Sequence, residues 1–389
     1  MKATIKISSE PSPEVMRFFE EKSLRPSFNW RDVWGEEHAH AFTVAKSAGF
    51  DILTDVRGAV ADALREGKTF ETFQAELEPI LRGKGWWGKK KLIDPKTGEL
   101  VDAQLGSARR LRVIYEANVR SARAAGQWER AQRTKAALPY FEYRLGPSER
   151  HRPHHVEKAG IILPIDDPFW DEWFPPNGWG CKCWLRQISR SAASAAGGVS
   201  ARPIVPRRRY ENTRRGIVEE LPVGIDPGWQ TSPGKGRARF LSNEFLRRVD
   251  GADEPAARES IREFWGLPMS AVIGTMEERV PLPVGASRKL QAITGARGAS
   301  VAMWNDKWRA ARKKHGHAQE MADALMALDQ VIEAGEEDPL LDRRPGEVWL
   351  YPAIFGRVWK VVIVKSEAGY MRLKSFMPYS PARAEKDRK

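Results

Sequence analysis

The sequence predicts a multidomain α+β chain. We expect a mainly helical N-terminal module, a small aromatic and cysteine-bearing β-like subdomain, an extended linker, and a C-terminal helix with an antiparallel sheet. Three observations predict it. At 389 residues the chain is longer than one ordinary core, which points to two or three domains. Apolar residues recur at helical spacing in the first third and alternate at strand spacing near the end. Between these regions, both cysteines fall in one stretch dense in Trp, Pro and Gly, "PFWDEWFPPNGWGCKCW" from Pro168 to Trp184.

Residues 44–83 read as two helices. Ile52, Val56, Val60 and Leu64 recur every fourth residue, and "EGKT" then supplies a Gly stop followed by a Thr cap. Phe70, Phe73, Leu77 and Ile80 continue an apolar stripe, with Pro79 expected to kink or shorten that helix. "GKGWWGKKKLIDPKTGEL" reads as a loop rich in Gly and Lys that exposes two tryptophans. A long helix dense in Arg follows over 103–136, and its basic face is either solvated or laid on DNA. From 139 to 188 the chain turns to short β-like pieces. Residues 189–235, rich in Ser, Ala, Gly, Pro and Arg, read as a linker or extended arm, and 266–300 as irregular. A final helical segment from Asn305 to Gly335 leads into three strands, "EVWLY", "WKVVIVK" and "MRLKSF", in an antiparallel meander. The domains so divided are 1–138, 139–188, 189–280, a linker or extended arm with short helices, and 281–389.

Lys and Arg number 64 against 51 acidic residues, a net +13. Such an excess favours a polyanionic partner, nucleic acid first and an acidic protein surface second, over a merely solvated basic surface. No apolar run reaches the length of a membrane span, and the first fifteen residues lack the apolar centre of a signal peptide. A soluble protein made in a cytoplasm, with no membrane partner, is therefore expected.

Two cysteines in a reducing compartment do not make a disulfide framework, and a Cys181–Cys183 bond would close a strained loop. Two readings of the pair stand. In the first, small thiols pack under Trp170, Trp173, Trp179 and Trp184, with His155 bonded to backbone or to Asp167. In the second, Cys181, Cys183 and His155 form a soft ligand set for zinc, completed by His151, His154, Asp166 or Glu149. The C-x-C spacing is tighter than the usual C-x(2–4)-C of structural zinc sites. The first reading, with no cofactor, is taken ahead of zinc. His38 and His40, near Glu36, read as a polar helix entry and receive no chemistry.

The cysteine stretch and the segment before it, "YRLGPSERHRPHHVEKAGIILPIDD", together resemble the phage head morphogenesis family typified by phage Mu protein F. The family pattern is met by Arg152-Pro153-His154-His155, Gly160, Asp166 to Asp171, and Pro175 to Cys183. The likeness extends upstream through "AFTVAK", "LREGKTFETF", "GWWG" and "YEANVRSARAAGQWERAQ", and downstream to "LPVGIDPGW", over roughly residues 28–235. Where relatives tend to carry an Asp, this chain has Ser148, with Glu149 beside it. The resemblance implies a minor capsid protein acting in head assembly, located in the virion at the capsid interior or portal region and assembled in the bacterial cytoplasm. Its implied partners are the portal or major capsid protein and packaged DNA.

The helix-then-meander order of the last ninety residues resembles the small ribonuclease domains of the barnase, EndoU, colicin and RelE-like superfamily. The matching pieces are "KKHGHAQE", "VVIVK" and "RLKSF". That likeness implies metal-independent RNA cleavage as an alternative function. His315 or His317 would serve as acid or base, Lys365 and Arg372 as cations, and Ser375 would hold a phosphate oxygen. Strand alternation separates Arg372 from Ser375 unless a bulge intervenes.

Overall fold

Helix signals in the first 140 residues are followed closely by the chain. The computed structural model describes residues 11–47, 49–315, 324–341 and 344–389, and they divide into two units, Met1–Arg237 and Ala238–Lys389. The fold is multidomain α+β, as expected.

In the first unit, α1 (Pro13–Glu20) starts on a proline, and α2 (Phe50–Glu66) stops at Gly67, whose φ of 68° is left-handed. Thr69 caps α3 (Phe70–Gly83) by accepting the Thr72 amide at 3.3 Å. Pro79 does not end α3. It sits on the exposed side, where the carbonyl left without its helix bond meets water, while Leu77 and Leu81 hold the helix to the core. Ile80, assigned to the apolar stripe, is exposed, and Leu81 takes the buried position. Ser107 caps α4 (Ala108–Thr134). Between α3 and α4 the expected loop is a hairpin, β3 (Lys89–Ile93) against β4 (Leu100–Gln104). Trp86 in the "GWWG" turn is buried, and its Nε1 donates to the Lys46 carbonyl at 2.8 Å. Two short parallel strands, β1 (Ser23–Leu24) and β2 (Ala41–Phe42), complete this part. Phe19, Phe42, Leu53, Val56, Val60, Phe73, Leu77 and Leu111 form its core.

The α4 arginines serve this frame. Arg130 and Arg133 reach the buried Glu14, and Arg17 and Arg133 share Glu129. Desolvated carboxylates thus take up cations that composition alone would leave for a partner.

Residues 140–188 fold around β5 (Tyr140–Arg144), which lies between β6 (Ile162–Pro164) and β7 (Trp184–Ile188) in an antiparallel sheet. Two short helices, α5 (Pro153–Val156) and α6 (Phe169–Trp173), cross its connections.

The expected extended arm is corrected here. Residues 189–235 hold α7 (Arg190–Ala195) and a six-residue-per-strand hairpin, β8 (Arg207–Asn212) with β9 (Ile217–Pro222). Its arginines pair with carboxylates remote in sequence: Arg202 with Asp167 at 2.8 Å, Arg207 with Glu172 at 2.9 Å, and Arg214 with Asp94 at 2.6 Å. Tyr210 stacks on Trp34 with ring centroids 5.4 Å apart. Low local hydrophobicity hid a segment that is ordered by distant partners.

α8 (Pro233–Gly251) spans the division between the units, so the boundary lies well before the expected residue 281. The second unit continues with α9 (Glu254–Gly266) and α10 (Pro268–Thr275). Its seven-stranded sheet comprises β10 (Pro281–Ala286), β11 (Ser300–Trp304), β12 (Leu340–Leu341), β13 (Glu347–Leu350), β14 (Ala353–Ile354), β15 (Arg357–Lys365) and β16 (Met371–Tyr379). The order is β10-β11-β16-β15-β13-β12, with β14 on β15; β11 and β16 run parallel and the other pairs antiparallel. The expected meander is its centre. β10 was missed because Pro281, Pro283 and Gly285 read as loop. The helices α11 (Arg288–Thr294), α12 (Asn305–His315), α13 (Leu328–Gly335) and α14 (Pro381–Arg388) complete the unit. Among the described residues no helix is long and apolar enough to cross a membrane.

Candidate functional site

Alternation along β5 turns Phe141 and Tyr143 to the same side, and both are fully buried. Against them pack Phe169, Trp170, Trp173 and Phe174, delivered by the aromatic run at α6. Phe141 meets Trp170 and Phe174 edge-on at 5.9 and 5.5 Å, and Phe169 stacks on Trp173 at 5.7 Å. This is the core expected of the stretch, with one correction. Trp170 and Trp173 are buried, but Trp179 and Trp184 are 42% and 46% exposed. Trp179 stands instead beside Trp229 and Trp30, at 5.0 and 6.3 Å.

Pro153 opens α5 and directs His155 inward, where it is only 2% exposed and lies edge-on to Trp173 at 5.7 Å. Its Nε2 donates to the Gly224 carbonyl at 2.9 Å. A carbonyl only accepts, so Nε2 carries a proton in this bond. Nδ1 faces both thiols, 3.8 Å from Cys181 Sγ and 3.5 Å from Cys183 Sγ. The backbone alternative for His155 thus holds and the Asp167 alternative does not; Asp167 pairs with Arg202 and caps Phe169.

Both cysteines are free thiols. The turn from Gly178, whose carbonyl accepts from the Cys181 amide at 3.1 Å, brings Cys181 under the aromatic core. The hydrogen bond between the thiols divides their acidity. Cys183 is pushed down by the donated bond from Cys181, against the opposing effect of burial. Cys181 is pushed up by the same bond and by burial. Burial beside the two sulfurs also pushes the Tyr143 phenol up.

Three ligand atoms, from His155, Cys181 and Cys183, therefore lie within 4.8 Å of one another. The residues named for a fourth position are elsewhere or otherwise engaged. Asp166 pairs with Lys135 at 2.9 Å, and His154 faces Glu157 at 3.5 Å near the surface. His151 and Glu149 do not join the cluster among the described residues.

Sequence reasoning missed the segment that closes the site. Residues 221–229 supply Gly224, whose carbonyl orients His155, and Asp226, which accepts from Arg152 Nη2 and the Trp179 amide, each at 2.9 Å. The Asp226 amide donates in turn to the Asn177 carbonyl at 3.1 Å, and Tyr143 donates to Asn177 Oδ1 at 3.1 Å. Gly224 has a φ of 101°, and a Cβ there would lie 2.7 Å from His154 Cβ and 2.9 Å from Trp173 Cη2. At Gly178 a Cβ would meet Asp226 Oδ2 at 2.4 Å, so the Asp226 carboxylate would have to move. The signal was the cluster of Gly, Asp and Pro in "LPVGIDPGW", quoted above for resemblance alone.

The five residues considered for RNA cleavage are only partly gathered. A register shift between Val362 and Ile363 lets Val362 pair with Ser375 and Val364 with Arg372. The bulge does intervene, and Arg372 and Ser375 share a face. Lys365 pairs with Met371 and falls on the opposite face, with Ile363 and Val361. His315 ends α12; its side chain and the whole of His317 lie outside the described residues.

Residues 54–186 match the family described as Phage Mu protein F like protein. The chain is 37% identical over 187 residues to "Putative capsid assembly protein F" of Escherichia phage Mu, covering 48% of this chain and 42% of that protein. It is 36% identical over 171 residues to "Mu-like prophage FluMu F protein" of Haemophilus influenzae, covering 44% of this chain and 40% of that one. The chain thus spans about two-fifths of the length of these relatives. No solved structure matches it significantly. The matched stretch runs from within α2 to β7 and contains the His155, Cys181 and Cys183 cluster, and over that stretch the chain is similar to phage Mu protein F-like proteins.

Proposed function

We propose that this protein acts in capsid assembly of a Mu-like tailed phage, as a minor component of the head joined to the portal or major capsid protein and to packaged DNA. One observation carries the reading. The family match takes in α3, α4 and the aromatic and cysteine core, which Arg120 of α4 joins by donating to the Cys181 carbonyl at 3.0 Å. The relatives' names supply the process, and the net +13 charge suits a polyanionic neighbour. Deletion of the gene from the phage or prophage that encodes it should leave aberrant or missing heads under electron microscopy, restored by expression in trans. Normal, filled heads in the deletion strain would overturn the proposal.

A second reading, metal-independent ribonuclease activity in the second unit, is favoured by the bulge that puts Arg372 and Ser375 on one face. It requires that the full-length chain cut RNA in the presence of a chelator. Ser375→Ala and Arg372→Ala should then slow the reaction, and uncut RNA discards this reading.

A further inference from the structure

We propose that His155, Cys181 and Cys183 bind one zinc ion, which locks the aromatic core of the first unit to the chain segment around Gly224. Tetrahedral zinc with Zn–S near 2.3 Å and Zn–N near 2.05 Å holds its nitrogen and sulfur ligands about 3.6 Å apart. The separations from Nδ1 to the two sulfurs are 3.8 and 3.5 Å, and all three donors fall within 4.8 Å. An ion can enter this set with little movement of side chains that packing already fixes.

The surroundings point the same way. A zinc-ligating histidine commonly donates its other ring N–H to a carbonyl or carboxylate, which fixes the tautomer and orients the ring. His155 Nε2 does this to Gly224, and Gly224 cannot carry a side chain without striking His154 and Trp173. One nitrogen and two sulfurs form a soft set, better matched to zinc than to magnesium or calcium, which take oxygen ligands. No further His, Cys, Asp or Glu joins the cluster among the described residues. The fourth position is accordingly assigned to a water. Binding converts both thiols to thiolates, and their protons pass to solvent.

The inference is independent of the proposed role in the head. Full-length protein purified without chelators should contain close to one zinc per chain by elemental analysis. Cys183→Ser and His155→Ala, each checked for native circular dichroism, should lose at least ten-fold of that content. Wild-type protein that holds no zinc, and takes up neither zinc nor cobalt on addition, overturns the proposal, as do folded variants that keep the wild-type content. Should the variants fail to fold, cobalt-loaded wild type decides. Intense tetrahedral d–d absorption with a thiolate-to-cobalt band is expected, and a weak octahedral spectrum without that band refutes the site.

Discussion

His155 and Gly224 are joined by a 2.9 Å hydrogen bond from imidazole to backbone carbonyl, across 69 positions of sequence. The bond ties the cysteine core to a segment beyond the end of the family match, and it does so at a residue that must be glycine. Gly224→Ala adds backbone strain at a φ of 101° to a Cβ clash with Trp173. It should destabilise the first unit by about 2–5 kcal/mol in chemical denaturation. An unchanged midpoint would separate the segment from the core.

The tryptophans of the stretch are predicted to differ. Trp173 is 1% exposed, and Trp173→Ala should cost about 3–5 kcal/mol. Trp179 lies at the surface, and Trp179→Ala should cost less than about 2 kcal/mol. Equal losses would mean that Trp179 is held in the core.

Arg214 bridges Asp32 and Asp94 and so fastens the β8–β9 hairpin to the helical frame. Burial works to raise Asp32, but the Arg214 guanidinium and the amides of Asn29 and Phe28 bring it below the ordinary carboxylate range. Asp94 is lowered chiefly by Arg214. Groups lowered on folding contribute stability above their unfolded value, near pH 4, and lose it as pH falls through the lower folded value. Arg214→Ala should reduce the melting temperature by a few degrees at pH 7. Its difference from wild type should shrink below about pH 4. A difference independent of pH would contradict the ion-pair account.

In the second unit Asn305 is fully buried. Its Nδ2 donates to the carbonyls of Ile273 at 3.0 Å, Met276 at 2.9 Å and Glu278 at 2.9 Å, while its Oδ1 accepts from the Val280 amide at 3.0 Å. Asn305→Ala strands these groups and should cost about 2–4 kcal/mol. Asn305→Asp keeps the shape but cannot donate, so denaturation should find it at least as damaging. A well-tolerated Asp would show that the carbonyls find other donors.

Legibility in the sequence followed the range of the interactions. The α2 and α3 boundaries were readable because Gly67 and Thr69 act on their own neighbours. His155, Cys181 and Cys183 stood out because soft donors are scarce in this chain. Gly224 contributes a main-chain oxygen, which no residue type announces. The hairpin at 207–222 was read as an arm because its order comes from Asp32, Asp94, Glu172 and Trp34, none of them local. Ser375 illustrates the same limit. Its place on the Arg372 face, opposite Lys365, was fixed by a one-residue register shift between β15 and β16 that alternation alone could not locate.

The central claim, that the chain serves in building a phage head, is tested most directly by a mass-spectrometric inventory of purified heads and assembly intermediates from the encoding phage or prophage. The account predicts peptides from both units, at a copy number well below that of the major capsid protein. Normal heads and intermediates from which the protein is absent throughout would contradict it.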